Sequence, residues 1–217
     1  TVTVYEREDT AGGQMRLAAV PPGKGEFAGL IAACRAQCET AGVALRLGTP
    51  MTVELLREEA PDVCILATGA QPSAPSLPGM SRFPAIPAWD VLGGKAACGE
   101  NVLVLGGGLV GCETAAFLGE RGHRVTVVEG REDIAADMGP EHRKQLLQLF
   151  ADYAVQITVG TQVQELLADG ALCCRAGEEV LLAGFDSVVA AFGARVQNPG
   201  FLEEARKVVP ECYVIGD

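Results

Sequence analysis

The sequence predicts an α/β protein made of two similar parallel-sheet domains, and three observations support this prediction. A strand ending in an acid occurs twice, as VTVYE (Val2–Glu6) and as VTVVE (Val125–Glu129), 123 positions apart. Matching apolar strands begin at Asp62 and at Asp186, 124 positions apart. A glycine-rich loop lies between a strand and a helix just ahead of the second copy. Two landmarks at nearly the same spacing indicate two copies of one supersecondary unit.

The glycine loop is GGGLVG, from Gly106 to Gly111. GxGxxG alone is a weak signal, but this loop follows a strand (Asn101–Leu105) and opens a predicted helix (Cys112–Glu120). The next strand ends at Glu129, 18 positions after Gly111 (129 − 111). A strand, a glycine loop, a helix and an acid in this order are typical of a Rossmann-like unit that binds a dinucleotide.

Each loop position has a physical role in that interpretation. Gly106 permits the tight turn, Gly108 lets the backbone approach a pyrophosphate, and Gly111 lets the helix pack closely on the strand. The pyrophosphate then meets the free N–H groups and partial positive charge of the helix N-terminus. Glu129 accepts hydrogen bonds from the adenosine ribose hydroxyls. The alternative is that the glycines serve only a tight turn between strand and helix.

The first copy of the repeat has an acid-terminated strand but no glycine loop ahead of it. A spacing of 123 positions places the counterpart of the loop before Thr1. We therefore expect the chain to be a fragment of a longer protein that starts after the first glycine loop, at the strand ending in Glu6.

Composition limits the classes of partner. The formal net charge is −11, which disfavours binding to nucleic acid or to an anionic membrane, because either would repel the average surface. No apolar run approaches the ~20 residues that span a bilayer, and no basic-then-apolar leader opens the chain. We expect a soluble, cytoplasmic protein whose partners are small molecules or proteins.

Cysteines and histidines give little support to metal or nucleophilic chemistry. No Cys-x-x-Cys pair occurs among the eight cysteines, and most lie in apolar runs, so we expect reduced, buried thiols rather than a disulfide or metal framework. Cys34 and Cys38 share one face of a predicted helix over residues 25–42 and are expected in the core. His123 and His142 lack metal-ligand neighbours, which disfavours a zinc site or a Ser-His-Asp mechanism.

Four further stretches carry a family resemblance. They are GGQMRLAAVPPGKGEF (Gly12–Phe27), ILATGAQP (Ile65–Pro72), VLVLGGGLVGCETA (Val102–Ala115) and VIGD (Val214–Asp217). On these motifs the chain resembles, nearly end to end, the C-terminal FAD/NAD(P)-binding region of the NADH:flavin oxidoreductases related to 2,4-dienoyl-CoA reductase, 2-enoate reductase and trimethylamine dehydrogenase. The resemblance implies two Rossmann-like dinucleotide-binding domains of three layers (β/β/α), the first discontinuous and lacking its N-terminal strand and glycine loop.

The resemblance also implies cofactors and a partner domain. In the family, electrons pass from NAD(P)H to FAD, then to an iron–sulfur cluster and FMN in an N-terminal barrel. We expect that barrel, its FMN and its cluster to belong to the missing part of the protein, because the cysteines here do not reproduce the cluster spacing. FAD and NADH are therefore the cofactors expected for this chain.

Residue roles follow from the same resemblance. The residues implied to contact FAD in the first domain are Glu6 (adenosine ribose), Gly13 and Gln14 (the loop along the nucleotide), Met51 (near the adenine), Ala67, Thr68 and Gly69 (the crossing between the domains), and Gly216 and Asp217 (closing on the flavin). The residues implied to contact NADH are Gly106, Gly108, Leu109, Val110 and Gly111 at the pyrophosphate, Glu129 at the ribose, and Gly193, the counterpart of Gly69.

Glu113 has two possible roles. It is placed in the first turn of the helix after the glycine loop, where a carboxylate would complement the helix dipole. By resemblance, it would instead orient the nicotinamide carboxamide near the flavin.

The acid at 129 also bears on the choice between NADH and NADPH. A carboxylate facing a 2′-phosphate would cost about 4 kcal/mol per pair of unit charges at ~4 Å and an effective dielectric of ~20. NADH is therefore favoured over NADPH. Arg131, two residues on, can approach a 2′-phosphate and reduce this preference.

Domain boundaries and elements complete the expectation. The incomplete FAD-binding domain should comprise residues 1–97 and 197–217, and the NAD(H)-binding domain residues 98–196. The proline-rich run 71–87 should connect them without regular structure. Helices are expected at 25–42, 110–121 and 140–152. Between Val155 and Leu182, four short apolar runs broken by glycines predict an antiparallel meander.

Three functions remain open on the sequence. The leading one is an electron-entry module in which NADH delivers a hydride to FAD and the protein supplies position and electrostatics. The second is structural binding of an adenine nucleotide without hydride transfer. The third, disulfide reduction, is disfavoured because no redox-active cysteine pair is recognisable.

Overall fold

The computed structural model describes residues 1–73 and 76–216. The helices of the described residues are α1 (Gly13–Ala18), α2 (Glu26–Thr40), α3 (Val53–Glu59), α4 (Ala88–Leu92), α5 (Leu109–Glu120), α6 (Pro140–Asp152) and α7 (Phe201–Ala205). The strands are β1 (Thr3–Tyr5), β2 (Ala44–Arg46), β3 (Val63–Leu66), β4 (Ala70–Pro72), β5 (Ile86–Pro87), β6 (Asn101–Leu105), β7 (Arg124–Val128), β8 (Gln156–Thr158), β9 (Thr161–Leu167), β10 (Gly170–Arg175), β11 (Glu178–Ala183), β12 (Ser187–Ala190), β13 (Ala194–Val196) and β14 (Glu211–Val214). None of these helices is long and apolar enough to cross a bilayer.

The chain forms two compact units. Unit 1 comprises residues 1–19, 25–71 and 194–217, and unit 2 comprises residues 20–24 and 72–193. The predicted boundary placed residues 72–97 with the first domain, whereas they group here with unit 2. The reason is that β5 pairs with β12 and α4 packs against α5. Which dinucleotide each unit holds stays a prediction.

Unit 2 contains a five-stranded parallel sheet in the order β5-β12-β6-β7-β8. The central strand β6 is in register with both neighbours, so that Val104 lies opposite Val127 of β7 and Val189 of β12. These three valines are fully buried. Strands covered on both faces are apolar along their whole length, which explains the continuous Val and Leu run of β6.

Different layers cover the two faces of this sheet. Leu103, Leu105 and Val188 form a buried cluster with residues of the β9–β11 meander, including Leu166 and Cys173. Alternate residues of β6 point to the opposite face, and α5 packs against β6 and β7. Unit 2 is therefore a helix, parallel-sheet and antiparallel-sheet sandwich, and the α/β fold class expected from the sequence is confirmed.

The predicted meander was wrong in one strand. β9, β10 and β11 form the expected antiparallel sheet, but β8 pairs in parallel with β7, with Ile157 opposite Val127. The reason is the preceding helix α6, which returns the chain to the end of the sheet at which β7 starts and makes β8 its parallel edge strand. The helices expected at 25–42, 110–121 and 140–152 are present as α2, α5 and α6.

Unit 1 is built from pairs of strands. β1 pairs in parallel with β2, β3 pairs in parallel with β14, and β4 pairs with β13. Its small core joins Leu56 of α3 and Leu66 of β3 to Phe201 and Ala205 of α7, with Val209 beyond them.

The two units repeat the same plan with one difference. β1 and β2 correspond to β7 and β8, and β3 corresponds to β12. In unit 2 the strand β6 lies between β7 and β12, whereas no strand in the described part of unit 1 joins β1 to β3. Val4 of β1 and Ile65 of β3 are accordingly 44% and 59% exposed, although such residues are normally buried in a parallel sheet.

The expected burial of the cysteines was wrong for most of them. Cys112 and Cys173 are buried, but Cys34 is exposed and the other five are partly exposed. The helix α2, which carries Cys34 and Cys38, contains no buried residue. An apolar helix face becomes core only where a sheet lies beneath it, and the strands of unit 1 form only separate pairs.

The proline-rich run is more ordered than expected in its described residues, 71–73 and 76–87, while residues 74 and 75 lie outside the described part. It begins in β4 and ends in β5, and between them Leu77, Met80 and Phe83 pack against the buried cluster of unit 2. A backbone hydrogen bond of 2.8 Å from the Leu166 N–H to the Pro78 carbonyl joins it to the meander. Prolines break the run into short pieces without keeping it from packing.

A strand equivalent to β6 should complete the sheet of unit 1. We predict that fusing a second copy of residues 99–123 directly before Thr1 slows amide hydrogen exchange at Tyr5 and Ile65 by roughly tenfold or more, because their N–H groups lie on the edges turned away from β2 and β14. Exchange measured by NMR tests this. The matched control carries Val102→Asp and Val104→Asp changes in the fused copy, and equal protection in both fusions would contradict the prediction.

Candidate functional site

A cavity of about 670 Å³ opens in unit 2 at the carboxyl ends of its central strands. Its walls come from the loop Gly106–Gly108 after β6, the turn Glu129–Arg131 after β7 and the segment Ala191–Gly193 after β12. The strand β6 is where the sheet order changes direction, and ligands of open α/β sheets bind in the crevice at such points. The cavity therefore lies at the glycine loop and the acid that the sequence predicted as a binding site.

Close contacts determine the shape of the glycine loop. Gly106 has a φ of +103°, and its N–H donates to the Val128 carbonyl at 2.9 Å. A Cβ atom at Gly111 would lie 1.9 Å from the carbonyl oxygen of Gly106. Any side chain at 111 would therefore push the helix away from the loop, which agrees with the role assigned to that glycine from the sequence.

The Glu129 carboxylate is held in place by backbone donors. One oxygen accepts from the Gly107 N–H at 2.6 Å, and the other accepts from the Arg131 N–H at 2.8 Å. The backbone of Glu129 is joined to Thr158 and Thr161 by hydrogen bonds of 2.9 Å each. Each carboxylate oxygen keeps lone pairs for further donors, so that the acid can accept ribose hydroxyls without moving.

Glu6 in unit 1 repeats this arrangement in part. Its carboxylate accepts from the Glu8 N–H at 2.8 Å, as that of Glu129 does from the residue two positions on. Its backbone is joined to Arg46 and Thr49 by hydrogen bonds of 2.9 and 2.8 Å. The repeat seen in the sequence therefore extends to individual hydrogen bonds. In the described residues, the carboxylate of Glu129 also accepts from a glycine loop, whereas that of Glu6 has no such contact.

An unpredicted acid lies at the N-terminus of α5. The Leu109 N–H donates to the Asp137 carboxylate at 3.1 Å. The loop that carries Asp137 follows β7 and folds back over the glycine loop, where the Ala135 N–H donates to the Gly107 carbonyl at 2.6 Å. No sequence motif signalled this contact, because it joins residues 28 positions apart (137 − 109) through an irregular loop.

Glu113 differs from its expected position. The helix begins at Leu109, so that Glu113 is its fifth residue and lies beyond the first turn, which contains no acid. Its side chain is buried, with the residue 7% exposed, and it forms an ion pair with Lys24. Complementing the helix dipole is therefore not its role. The sequence did not predict this contact of Lys24, which belongs to the quoted PPGKGEF stretch.

Cys112, next in the chain, is a packing residue. Burial raises the pKa of its thiol to about 12, and its S–H donates to the Gly107 carbonyl at 3.2 Å. Reactive cysteines have a lowered pKa. This thiol therefore supports the glycine loop and is not a nucleophile. Within residues 1–73 and 76–216, no group of three or more His, Cys, Asp or Glu side chains is placed to hold a metal ion.

The predicted FAD contacts of unit 1 are distributed over several elements. Gly13 and Gln14 begin α1, and the Gln14 amide donates to the Ala70 carbonyl at 3.4 Å, beside Gly69. The remaining positions are as follows: Ala67 and Thr68 are exposed after β3, Met51 packs against the core of unit 1, Gly216 follows β14 with a φ of +90°, and Asp217 lies outside the described residues. Gly193 lines the cavity of unit 2. The roles of all these residues stay predictions.

Gly111 gives a direct test of the loop geometry. We predict that Gly111→Ala lowers the free energy of unfolding by roughly 3 kcal/mol, because the new methyl group overlaps the Gly106 carbonyl. Urea denaturation followed by circular dichroism measures this. Gly130→Ala is the matched control, because a Cβ there meets nothing within 4 Å. Equal stabilities of the two variants would show that the close approach is absent.

The Lys24–Glu113 ion pair gives a second test. Removing the cation leaves a buried carboxylate without that partner. Because the Lys24 side chain is about a third exposed, we predict that Lys24→Met lowers the free energy of unfolding by only about 1–2 kcal/mol. Glu113→Gln should recover most of this loss in the double variant. A double-mutant cycle measures this. If Lys24→Met costs as much stability in the Glu113→Gln background as in the unaltered chain, the pair is not stabilising.

Comparison with known proteins identifies the family. The NADH oxidase of Thermoanaerobacter brockii is 39% identical over 173 residues, which cover 78% of this chain and 27% of that protein. The cinnamate reductase of Clostridium sporogenes is 30% identical over 219 residues, covering 100% of this chain and 32% of that protein. The structure of a 2-naphthoyl-CoA reductase in complex with 2-naphthoyl-CoA is also similar, with a TM-score of 0.93 and 31% identity. The superposition covers 100% of this chain and 33% of the reductase chain.

The chain thus spans about a third of the length of these relatives. The sequence profile of the pyridine nucleotide-disulphide oxidoreductases matches residues 6–212, which is nearly the whole chain. The chain belongs to the pyridine nucleotide-disulphide oxidoreductase family.

Proposed function

We propose that the chain is the electron-entry module of a flavin oxidoreductase, in which NADH binds to unit 2 and passes a hydride to FAD held by unit 1. The observation that carries the proposal is the Glu129 carboxylate, which accepts from the Gly107 N–H and lines a cavity of about 670 Å³. An acid joined to a glycine loop at the start of a helix suits a ribose next to a pyrophosphate.

In this proposal the pyrophosphate of NADH lies against the stretch from Gly106 to Gly111. The amides of Leu109 and Val110 belong to the first turn of α5, whose N–H groups have no partners within the helix and can donate to phosphate oxygens. Glu129 receives the adenosine ribose, and Gly193 lets the backbone pass close to the nicotinamide half. Glu113, held by Lys24, would orient the carboxamide.

FAD would be bound by the corresponding parts of unit 1. Glu6 would receive its adenosine ribose as Glu129 does in unit 2, and the turn at Gly13 and Gln14 would follow the nucleotide. Met51, the crossing Ala67–Gly69, and Gly216 with Asp217 complete the proposed set. The support for this half is the matching hydrogen bonds of Glu6 and Glu129.

The cofactors supply the redox chemistry: NADH gives up a hydride and FAD accepts it. The chain then needs no side chain that acts as acid or base, and its role is to bind both dinucleotides and exclude competing reactions. This fits a site in which the neighbouring thiol, Cys112, is buried and has a raised pKa.

The whole protein would use these electrons elsewhere. We propose an N-terminal barrel with FMN and an iron–sulfur cluster that reduces an enoate or enoyl-CoA type substrate, in the subfamily related to 2,4-dienoyl-CoA reductase. The names of two relatives, cinnamate reductase and 2-naphthoyl-CoA reductase, support this substrate class. A cytoplasmic location stays a prediction from composition.

Two other functions are less well supported. Structural binding of an adenine nucleotide, as the amine dehydrogenase resemblance permits, would use the same pocket without hydride transfer. Disulfide reduction would need a thiol with a lowered pKa. Cys64 and Cys212 lie opposite each other on β3 and β14, but burial and then the neighbouring Cys212 thiol raise the pKa of Cys64. This disfavours disulfide chemistry at that pair.

Glu129 provides the test of nucleotide binding. We predict that the chain binds NADH more tightly than NADPH and that Glu129→Gln weakens NADH binding by roughly tenfold or more, because hydrogen bonds to a charged acceptor contribute about 1.5–3 kcal/mol. The same change should reduce the preference for NADH over NADPH, since the repulsion of a 2′-phosphate is removed. Isothermal titration calorimetry measures both.

Glu178→Gln, in the exposed strand β11, is the matched control for this change and should bind as the unaltered chain does. The proposal would be refuted if calorimetry of the unaltered chain showed no heat of binding with NADH and none with ADP. Hydride transfer is distinguished from structural binding by adding NADH to the FAD-loaded full-length protein and following the flavin absorbance. Tight NADH binding without bleaching would favour structural binding.

A further inference from the structure

The Asp137 carboxylate lies where an anionic ligand of the glycine loop would bind. Its Oδ2 atom accepts from the Leu109 N–H at 3.1 Å, at the N-terminus of α5. The same oxygen lies 3.5 Å from the position that a Cβ of Gly108 would take. The side chain is exposed and lines the cavity beside Glu129.

The surrounding loop holds this carboxylate in position. Ile134 is 2% exposed and anchors the loop in the core, while the Ala135 N–H donates to the Gly107 carbonyl at 2.6 Å. Arg143 of α6 donates from Nε to the Ile134 carbonyl at 3.0 Å and forms an ion pair with Asp133. Asp137 therefore approaches the helix from a loop that is anchored on both the glycine loop and α6.

A diphosphate and this carboxylate compete for the same place. Both are anions stabilised by the N–H groups and the partial positive charge of a helix N-terminus. Two anions at contact distance repel each other strongly in a partly enclosed site. The Leu109 N–H cannot serve both with good geometry, and Asp137 has to leave before a pyrophosphate can bind there.

We infer that Asp137 is an internal competitor for the pyrophosphate of the dinucleotide, so that it sets both the affinity and the selectivity of the pocket. The inference rests on the proposed function of unit 2. A ligand that also engages Glu129 through a ribose can compensate for expelling Asp137. Inorganic pyrophosphate lacks a ribose and is excluded. Asp137 thereby makes the pocket prefer a diphosphate that is attached to a nucleoside over a diphosphate without one.

The test compares Asp137→Asn and Asp137→Ser with the unaltered chain by isothermal titration calorimetry. NADH and ADP should bind at least about tenfold more tightly to both variants, because the anionic competitor is gone. Adenosine, which has no phosphate, should bind with unchanged affinity. Inorganic pyrophosphate should gain measurable binding. Glu141→Gln is the matched control, because Glu141 is an exposed acid in the first turn of α6 and does not line the cavity.

The possible outcomes separate the inference about Asp137 from the proposed function of unit 2. Unchanged or weaker binding of NADH and ADP by both variants, with clear binding by the unaltered chain, would overturn the inference and leave the proposed function intact. Binding of neither nucleotide by any of the proteins would overturn both. Binding by the variants alone would support the inference about Asp137 and would refute the proposal that the unaltered chain binds NADH.

A measurement on the unaltered chain covers the case in which the variants do not fold. The carboxyl carbon of Asp137 and the amide of Leu109 can be followed by NMR during titration with ADP. Both signals should shift together as ADP saturates, because their hydrogen bond is broken. A Glu129 carboxyl signal that shifts while Asp137 stays unchanged would show that ADP binds without displacing Asp137 and would overturn the inference.

Discussion

The hydrogen bond from the Gly107 N–H to the Glu129 carboxylate is the interaction on which the site depends. It joins the loop after β6 to the end of β7, so that the register of two central strands determines the position of both. The close approach of Gly111 to the Gly106 carbonyl then directs α5 toward the same point. A change in either contact would move the helix N-terminus and the acid relative to each other. Backbone geometry therefore determines the chemistry of this pocket more than any catalytic side chain does.

The internal repeat shows what the central strand contributes. Glu6 and Glu129 have the same carboxylate contact to the N–H two positions on and the same backbone links to the neighbouring strand. In unit 2, β6 adds a strand whose four apolar residues are fully buried and a loop that donates to the acid. In the described part of unit 1, β1 and β3 lack such a strand between them, and apolar side chains remain exposed on both. The carboxylate contact at the end of the strand thus forms in unit 1 without a glycine loop beside it in the described residues.

Local pattern was sufficient to predict much of the fold. The α/β class, the glycine loop and the helices at α5 and α6 follow from periodicity and from glycine spacing, which are short-range signals. β8 was assigned to the wrong sheet because strand pairing depends on the path of the preceding helix, not on the strand's own residues. The contacts of Lys24 with Glu113 and of Asp137 with Leu109 were missed because each joins distant positions through irregular segments. The exposure of Cys34 could not be read from α2, since burial depends on the layer beneath a helix.

The division of the chain between the units has a consequence for protein synthesis. Unit 2 is nearly continuous in sequence, whereas unit 1 is assembled from three separate stretches. Its core takes Phe201, Ala205 and Val209 from the last part of the chain, and β3 finds its partner β14 only there. Contacts that close such long loops form late. As the polypeptide leaves the ribosome, unit 2 can fold while Leu56 and the strand β3 have not yet met α7 and β14. That interval is when a nascent chain of this kind is most exposed to misassociation.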